Sequence, residues 1–146
     1  MKKELIIIHC SDSDNKAHDD ISVIDEWHKE RGFLRKNIPQ NAVNKIDLHV
    51  GYQYFIQSNG NIQIGRDEEE VGAHTEGFNS RSIGICLHGK DFFTKEQFDS
   101  CKKLIPQICA RHNIEIKDIL PHKALNKNKS CPRFDIYEKI IYDLYN

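Results

Sequence analysis

Two histidines and a cysteine pose the first chemical question in this sequence. His9, His122 and Cys131 offer two neutral imidazoles and a thiolate, donors that zinc accepts, and three protein ligands leave a fourth tetrahedral position open. A zinc hydrolase is the chemistry such a set points to. Spacing alone is thin support, because the chain carries eight histidines. His18, His28, His49 and His112 read as ordinary core or surface residues. The same atoms suit two other chemistries. Cys131 is a candidate nucleophile with His122 or His9 as its base, although its Lys-Ser-Cys-Pro setting lacks the helix N-terminus that activates such a thiol. A structural zinc is the other alternative, against which stands the lack of an obvious fourth ligand.

For the three donors to meet, the elements carrying them must converge. The apolar run at 5–8 ends at His9 and is followed by Ser11-Asp12-Ser13-Asp14, the pattern of a central strand with His9 at its terminus. His122 and Cys131 bracket a polar loop from 121 to 132 that can fold over that strand end. Lys129 lies two residues before Cys131, and Pro132 restricts the chain just after it. This arrangement sets a cation beside the candidate metal.

Between these ends, Ile21, Ile24, Trp27 and His28 recur at helical spacing. Asp19 or Asp20 is placed to cap that helix, and Gly32 to stop it. Residues 33–49 hold Pro39 and several Asn with little periodicity, and read as an extended surface loop. The runs 52–56 and 62–64 flank Asn59-Gly60, a strong hairpin signal. Glu68-Glu69-Glu70 reads as a solvated face, 71–82 as a loop, and 83–87 as a buried strand. Thr94 with Gln97 forms a capping-box start for a second helix over Phe98, Cys101, Leu104, Ile105 and Ile108, with a kink or break expected at Pro106. Ile114 and Ile116 suggest an edge strand, and Ile136, Ile140, Ile141 and Leu144 a terminal helix that Asp135 caps. The reading is a single α/β domain over 1–146, with a central mixed β-sheet flanked by about three helices.

Composition narrows the partners. A chain of 146 residues buries one sizeable core without covalent staples. Its net charge of −1 and lack of a basic block argue against nucleic acid. No stretch approaches the roughly 20 apolar residues of a membrane span. The apolar run at 5–8 is too short for a signal peptide and has no cleavage site, so the expectation is synthesis in the cytoplasm. Five scattered cysteines point to reduced thiols. A monomer is expected.

Six segments then carry a family resemblance: Ile-His-Cys-Ser at 8–11, Val-Gly-Tyr-Gln-Tyr-Phe at 50–55, Gly-Arg-Asp at 65–67, Val-Gly-Ala-His at 71–74, the run 77–87, and Lys-Ser-Cys-Pro at 129–132. In this order they resemble the type-2 zinc N-acetylmuramoyl-L-alanine amidases, a group that includes phage-type lysozyme amidases and animal peptidoglycan-recognition proteins. The resemblance spans nearly the whole chain. It implies an amidase-like fold and hydrolysis of the lactyl-L-alanine amide of bacterial peptidoglycan, with His9, His122 and Cys131 holding zinc. It further implies that Tyr52 and Lys129 form the catalytic pair and that His74 and Asn79 line the substrate groove. Read from the residues alone, Tyr52 is an ordinary strand aromatic and Asn79 a turn residue. A phage or prophage endolysin, reaching the wall after lysis or secretion, is the expected setting; a peptidoglycan-binding module without activity is the alternative. Two features depart from the family pattern: the length of the 33–49 segment, and His88, which is expected in the cleft or facing solvent and is given no role.

Overall fold

The computed structural model describes residues 2–145. Five strands form one mixed sheet in the order β3-β2-β4-β1-β5. β1 (Leu5–Cys10) lies inside it, parallel to both β4 (Ser82–Leu87) and β5 (Ile119–Pro121). β2 (Tyr54–Ile56) runs parallel to β4 and antiparallel to β3 (Ile62–Ile64). A strand with parallel neighbours on both sides is covered on both faces, which explains why 5–8 is apolar without alternation.

The two-residue period of β1 sends Ile6 and Ile8 to one face. There they pack with Ile83, Ile85 and Leu87 of β4 and with Cys101, Leu104, Ile105 and Ile108 of α2 (Lys95–His112). The C-terminal segment closes the same layer through Ile136, Ile140 and Ile141; it is a π-helical stretch, Tyr137–Ile141, that runs into α3 (Tyr142–Leu144). His9 therefore falls on the opposite side, in register with Cys86. Cys86 and Phe55 pack there against Ile21 and Ile24 of α1 (Ile21–Glu30). That thinner face carries the site.

Helix boundaries follow side-chain chemistry. Asp20 accepts from the Ser22 amide at 3.0 Å to start α1, and Thr94 and Gln97 form the capping box of α2. Pro106 does not break α2, which continues to His112 and ends on Asn113 in the left-handed region at φ 57°. The edge strand is displaced from its expected place. Ile114 joins the core just after the cap and Ile116 opens a 3-10 turn, so that pairing begins at Ile119. Pro121 ends this edge, where a missing N–H costs nothing.

The acidic run also differs from expectation. Glu69 is exposed, but Glu70 is 6% exposed and forms a two-pronged ion pair with Arg35, Nε–Oε1 at 2.9 Å and Nη2–Oε2 at 2.6 Å. Arg35 Nη1 also donates to the carbonyls of Asn44 and Asp47. The irregular 33–49 loop is thus pinned from within. Glu68 accepts from Arg111, His112 and the Tyr54 hydroxyl. Burial alone would raise its pKa; the bonds from Arg111 and its neighbours overcome this and hold it at about 2.

Candidate active site

The expected donors meet at the C-terminal end of β1. Their ligand atoms lie within 4.8 Å of one another. His9 arrives on the central strand and is 1% exposed; His122 follows β5 directly and is 8% exposed. Because β1 and β5 are parallel neighbours, His9 and His122 emerge at the same sheet end, and their rings stand 4.4 Å apart. Cys131 returns on the loop beyond, its Sγ 3.3 Å from His122 Nδ1, and its carbonyl accepts from the Lys123 amide.

The set fits a divalent ion. Tetrahedral zinc, with Zn–N near 2.0 Å and Zn–S near 2.3 Å, requires an N···S separation of roughly 3.5 Å, close to that of His122 and Cys131. Protonation favours the same state. Burial pushes His9 below its usual value and so keeps it neutral. Hydrogen bonding from the Cys10 thiol, with a further bond to His122, holds Cys131 well below the usual thiol range. Cys10 is pushed up in return. Neutral imidazole and thiolate are the coordinating forms.

His122 and Cys131 line a cleft of about 820 Å³, and His9 lies buried beside them. Tyr52, His74, Asn79 and Lys129 also line the cleft. Tyr52 precedes β2 and is set by α1: Asp25 accepts from the His49 and Val50 amides, and His28 Nδ1 accepts from Gly51 N–H at 2.8 Å. The Tyr52 ring lies 5.0 Å from that of His9. Burial pushes its phenol well above 10, so the hydroxyl keeps its proton. Lys129 is exposed on the loop that carries Cys131. Asn79 Oδ1 accepts from the amides of His74 and Thr75, which holds the turn beneath the cleft. His74 reaches back to His9.

Cys10, Thr75 and His28 contribute here without having been singled out for the site. His28 had a visible signal, since it continues the buried stripe of Ile21 and Ile24 at helical spacing. Cys10 and Thr75 had none. His88 reaches neither cleft nor solvent: it is 4% exposed, and its Nδ1 has no hydrogen-bond partner and lies 3.9 Å from Asp19.

Comparison with known proteins agrees with this architecture. The family described as N-acetylmuramoyl-L-alanine amidase matches residues 1–134. The endolysin of Enterobacteria phage T3 is 31% identical over 145 residues, covering 91% of this chain and 82% of the relative. The endolysin of Escherichia phage T7 is 30% identical over 141 residues, with 91% and 82% covered. Among solved structures, the N-acetylmuramoyl-L-alanine amidase LysC from Clostridium intestinale URNW superposes with a TM-score of 0.80 at 28% identity, covering 100% of this chain and 87% of that one. The chain belongs to the N-acetylmuramoyl-L-alanine amidase family.

Proposed function

We propose that this chain is a zinc-dependent N-acetylmuramoyl-L-alanine amidase that cuts the amide between the lactyl group of muramic acid and the first L-alanine of the peptidoglycan stem, as a phage or prophage endolysin. The observation that carries the cofactor is the convergence of the ligand atoms of His9, His122 and Cys131 within 4.8 Å, beside a cleft that His122 and Cys131 line. Family membership supports the bond type, and the match to phage endolysins over 91% of the chain supports the setting.

A zinc ion held by these donors would supply a Lewis acid and make water available as a nucleophile near neutral pH. The chain's own groups do the rest. Tyr52, kept protonated by burial, donates through its hydroxyl and orients the attacking water or the scissile carbonyl. Lys129 brings an ammonium to the cleft rim, where it stabilises the charge that develops on the carbonyl oxygen. His74 and Asn79 shape the wall against which the stem lies. The segment before Tyr52 is fixed by α1, and Lys129 lies on the loop that follows β5.

The test combines metal content with product analysis on purified cell walls. Wall digestion should release new L-alanine amino termini, stop with a chelator and return with zinc. Activity indifferent to chelation would overturn the metal and favour a thiol nucleophile. Binding to walls with zinc present but no new termini would leave a recognition module in place of the enzyme.

A further inference from the structure

From His9 runs a chain of hydrogen bonds whose polarity is fixed at its far end. Ser82 Oγ donates to the Phe78 carbonyl at 2.7 Å. A hydroxyl has one hydrogen. With that hydrogen committed, Ser82 Oγ accepts from the ring of His74, whose Nε2 lies 3.4 Å away. His74 therefore carries its hydrogen on Nε2 and presents a lone pair at Nδ1. His9 Nε2 lies 2.9 Å from that Nδ1, so the His9 hydrogen is on Nε2. The Thr75 hydroxyl lies beside this contact, 3.0 Å from His74 Nδ1 and 3.3 Å from His9 Nε2.

The ring of His74 packs closely against Gly72 and Gly84. A Cβ on Gly72 would come within 2.6 Å of it, and one on Gly84 within 2.8 Å. Asn79 Oδ1 fixes the backbone amide of His74 at 2.8 Å. Gly84 faces the ring because the period of β4 puts it on the same side of the sheet as Cys86. The strand thus supplies the floor, the turn supplies the orientation, and a main-chain carbonyl supplies the polarity.

We propose that His74 is a positioning residue that holds His9 in the Nε2–H tautomer through the Phe78–Ser82–His74 hydrogen-bond chain, leaving His9 Nδ1 as the atom offered to the metal. The inference rests on the zinc reading above and gives His74 a task in holding the ligand in addition to its place in the cleft wall. Partners of this kind fix tautomer and ring orientation, and their loss typically costs about 10- to 100-fold in metal affinity.

The test reads the tautomer on the zinc-free protein by long-range ¹H–¹⁵N correlation of the imidazoles, with His9 assigned by its loss in His9→Ala, and zinc affinity by chelator competition. Wild-type His9 should show the Nε2–H pattern. His74→Ala should lose that bias and bind zinc about 10- to 100-fold more weakly. His74→Gln, whose side-chain oxygen can accept from His9, should recover most of the affinity. Ser82→Ala keeps the His74 ring and should weaken the bias, which keeps the test valid if His74→Ala does not fold. An Nδ1–H pattern at His9 in the wild type, or unchanged zinc affinity in a folded His74→Ala, overturns the inference. Since the tautomer is read without metal, a wild-type chain that takes no zinc overturns the cofactor and is distinguishable from failure of the hydrogen-bond chain.

Discussion

In the proposed mechanism Lys129 and Tyr52 have separate roles that single substitutions can distinguish. Neither belongs to the donor group, so removing either should leave zinc binding within a few-fold of wild type, by the proposed roles. Loss of a preorganised donor to a developing oxyanion costs about 2.7–4 kcal/mol, so Lys129→Ala and Tyr52→Phe should each lower turnover on purified walls about 100- to 1,000-fold. Full turnover in either variant would remove that residue from the mechanism. The sequence made these residues unequally visible. His9, His122 and Cys131 stand out by donor type and by their places at a strand end and a loop. Tyr52, in contrast, is chemically indistinguishable from any strand aromatic, and its significance came from the Val-Gly-Tyr-Gln-Tyr-Phe motif. The part His74 plays against His9 was invisible, because it depends on a ring packed against two glycines from different segments.

A buried ion pair helps to hold the loop of residues 33–49, and this is where an element becomes vulnerable. Arg35 and Glu70 have side chains 0% and 4% exposed. Removing one partner strands the other charge, a loss that typically costs about 3–5 kcal/mol. Arg35→Ala should therefore lower unfolding free energy by that order in urea, while Arg35→Met with Glu70→Gln should recover a large part of it. A loss below about 1 kcal/mol in the single variant would show that the loop opens locally and rehydrates the carboxylate. Glu70 also illustrates where pattern reading fails. Three consecutive glutamates look alike in sequence, but they point in different directions once Arg111, exposure and Arg35 claim them in turn. Periodic elements were legible: α1, α2 with its capping box, and the Asn-Gly hairpin all formed where expected. The edge strand shifted because Asn113 ends α2 in the left-handed region, and no periodic signal marks where the chain next meets β1.

At the scale of the molecule, stability should depend on pH through imidazoles kept from water. His28 is 5% exposed, and burial, reinforced by Arg31, lowers its pKa from 6.5 to about 4. Above 6.5 the folded and unfolded forms are both neutral and stability is full. As pH falls toward 4 the unfolded chain binds the proton first, and stability drops. His28 alone should contribute a loss of about 2 kcal/mol between pH 7 and pH 5, read by urea unfolding of zinc-free protein and smaller in His28→Gln. A flat profile in both proteins would refute it. The contribution of Glu68 belongs lower, between its ordinary value of 4.5 and about 2. Sheet order has a further consequence during synthesis. The first strand made, β1, has no partner until β4 appears, since Leu5 pairs with Ser82. At ribosomal rates of 5–20 residues per second that interval lasts roughly 4–15 s. Throughout it the nascent chain displays its most apolar segment with two bare edges. Newly made protein should thus depend on holdase chaperones at low temperature, where translation slows, and Cys131 can meet His9 only after β4 and β5 have both been made.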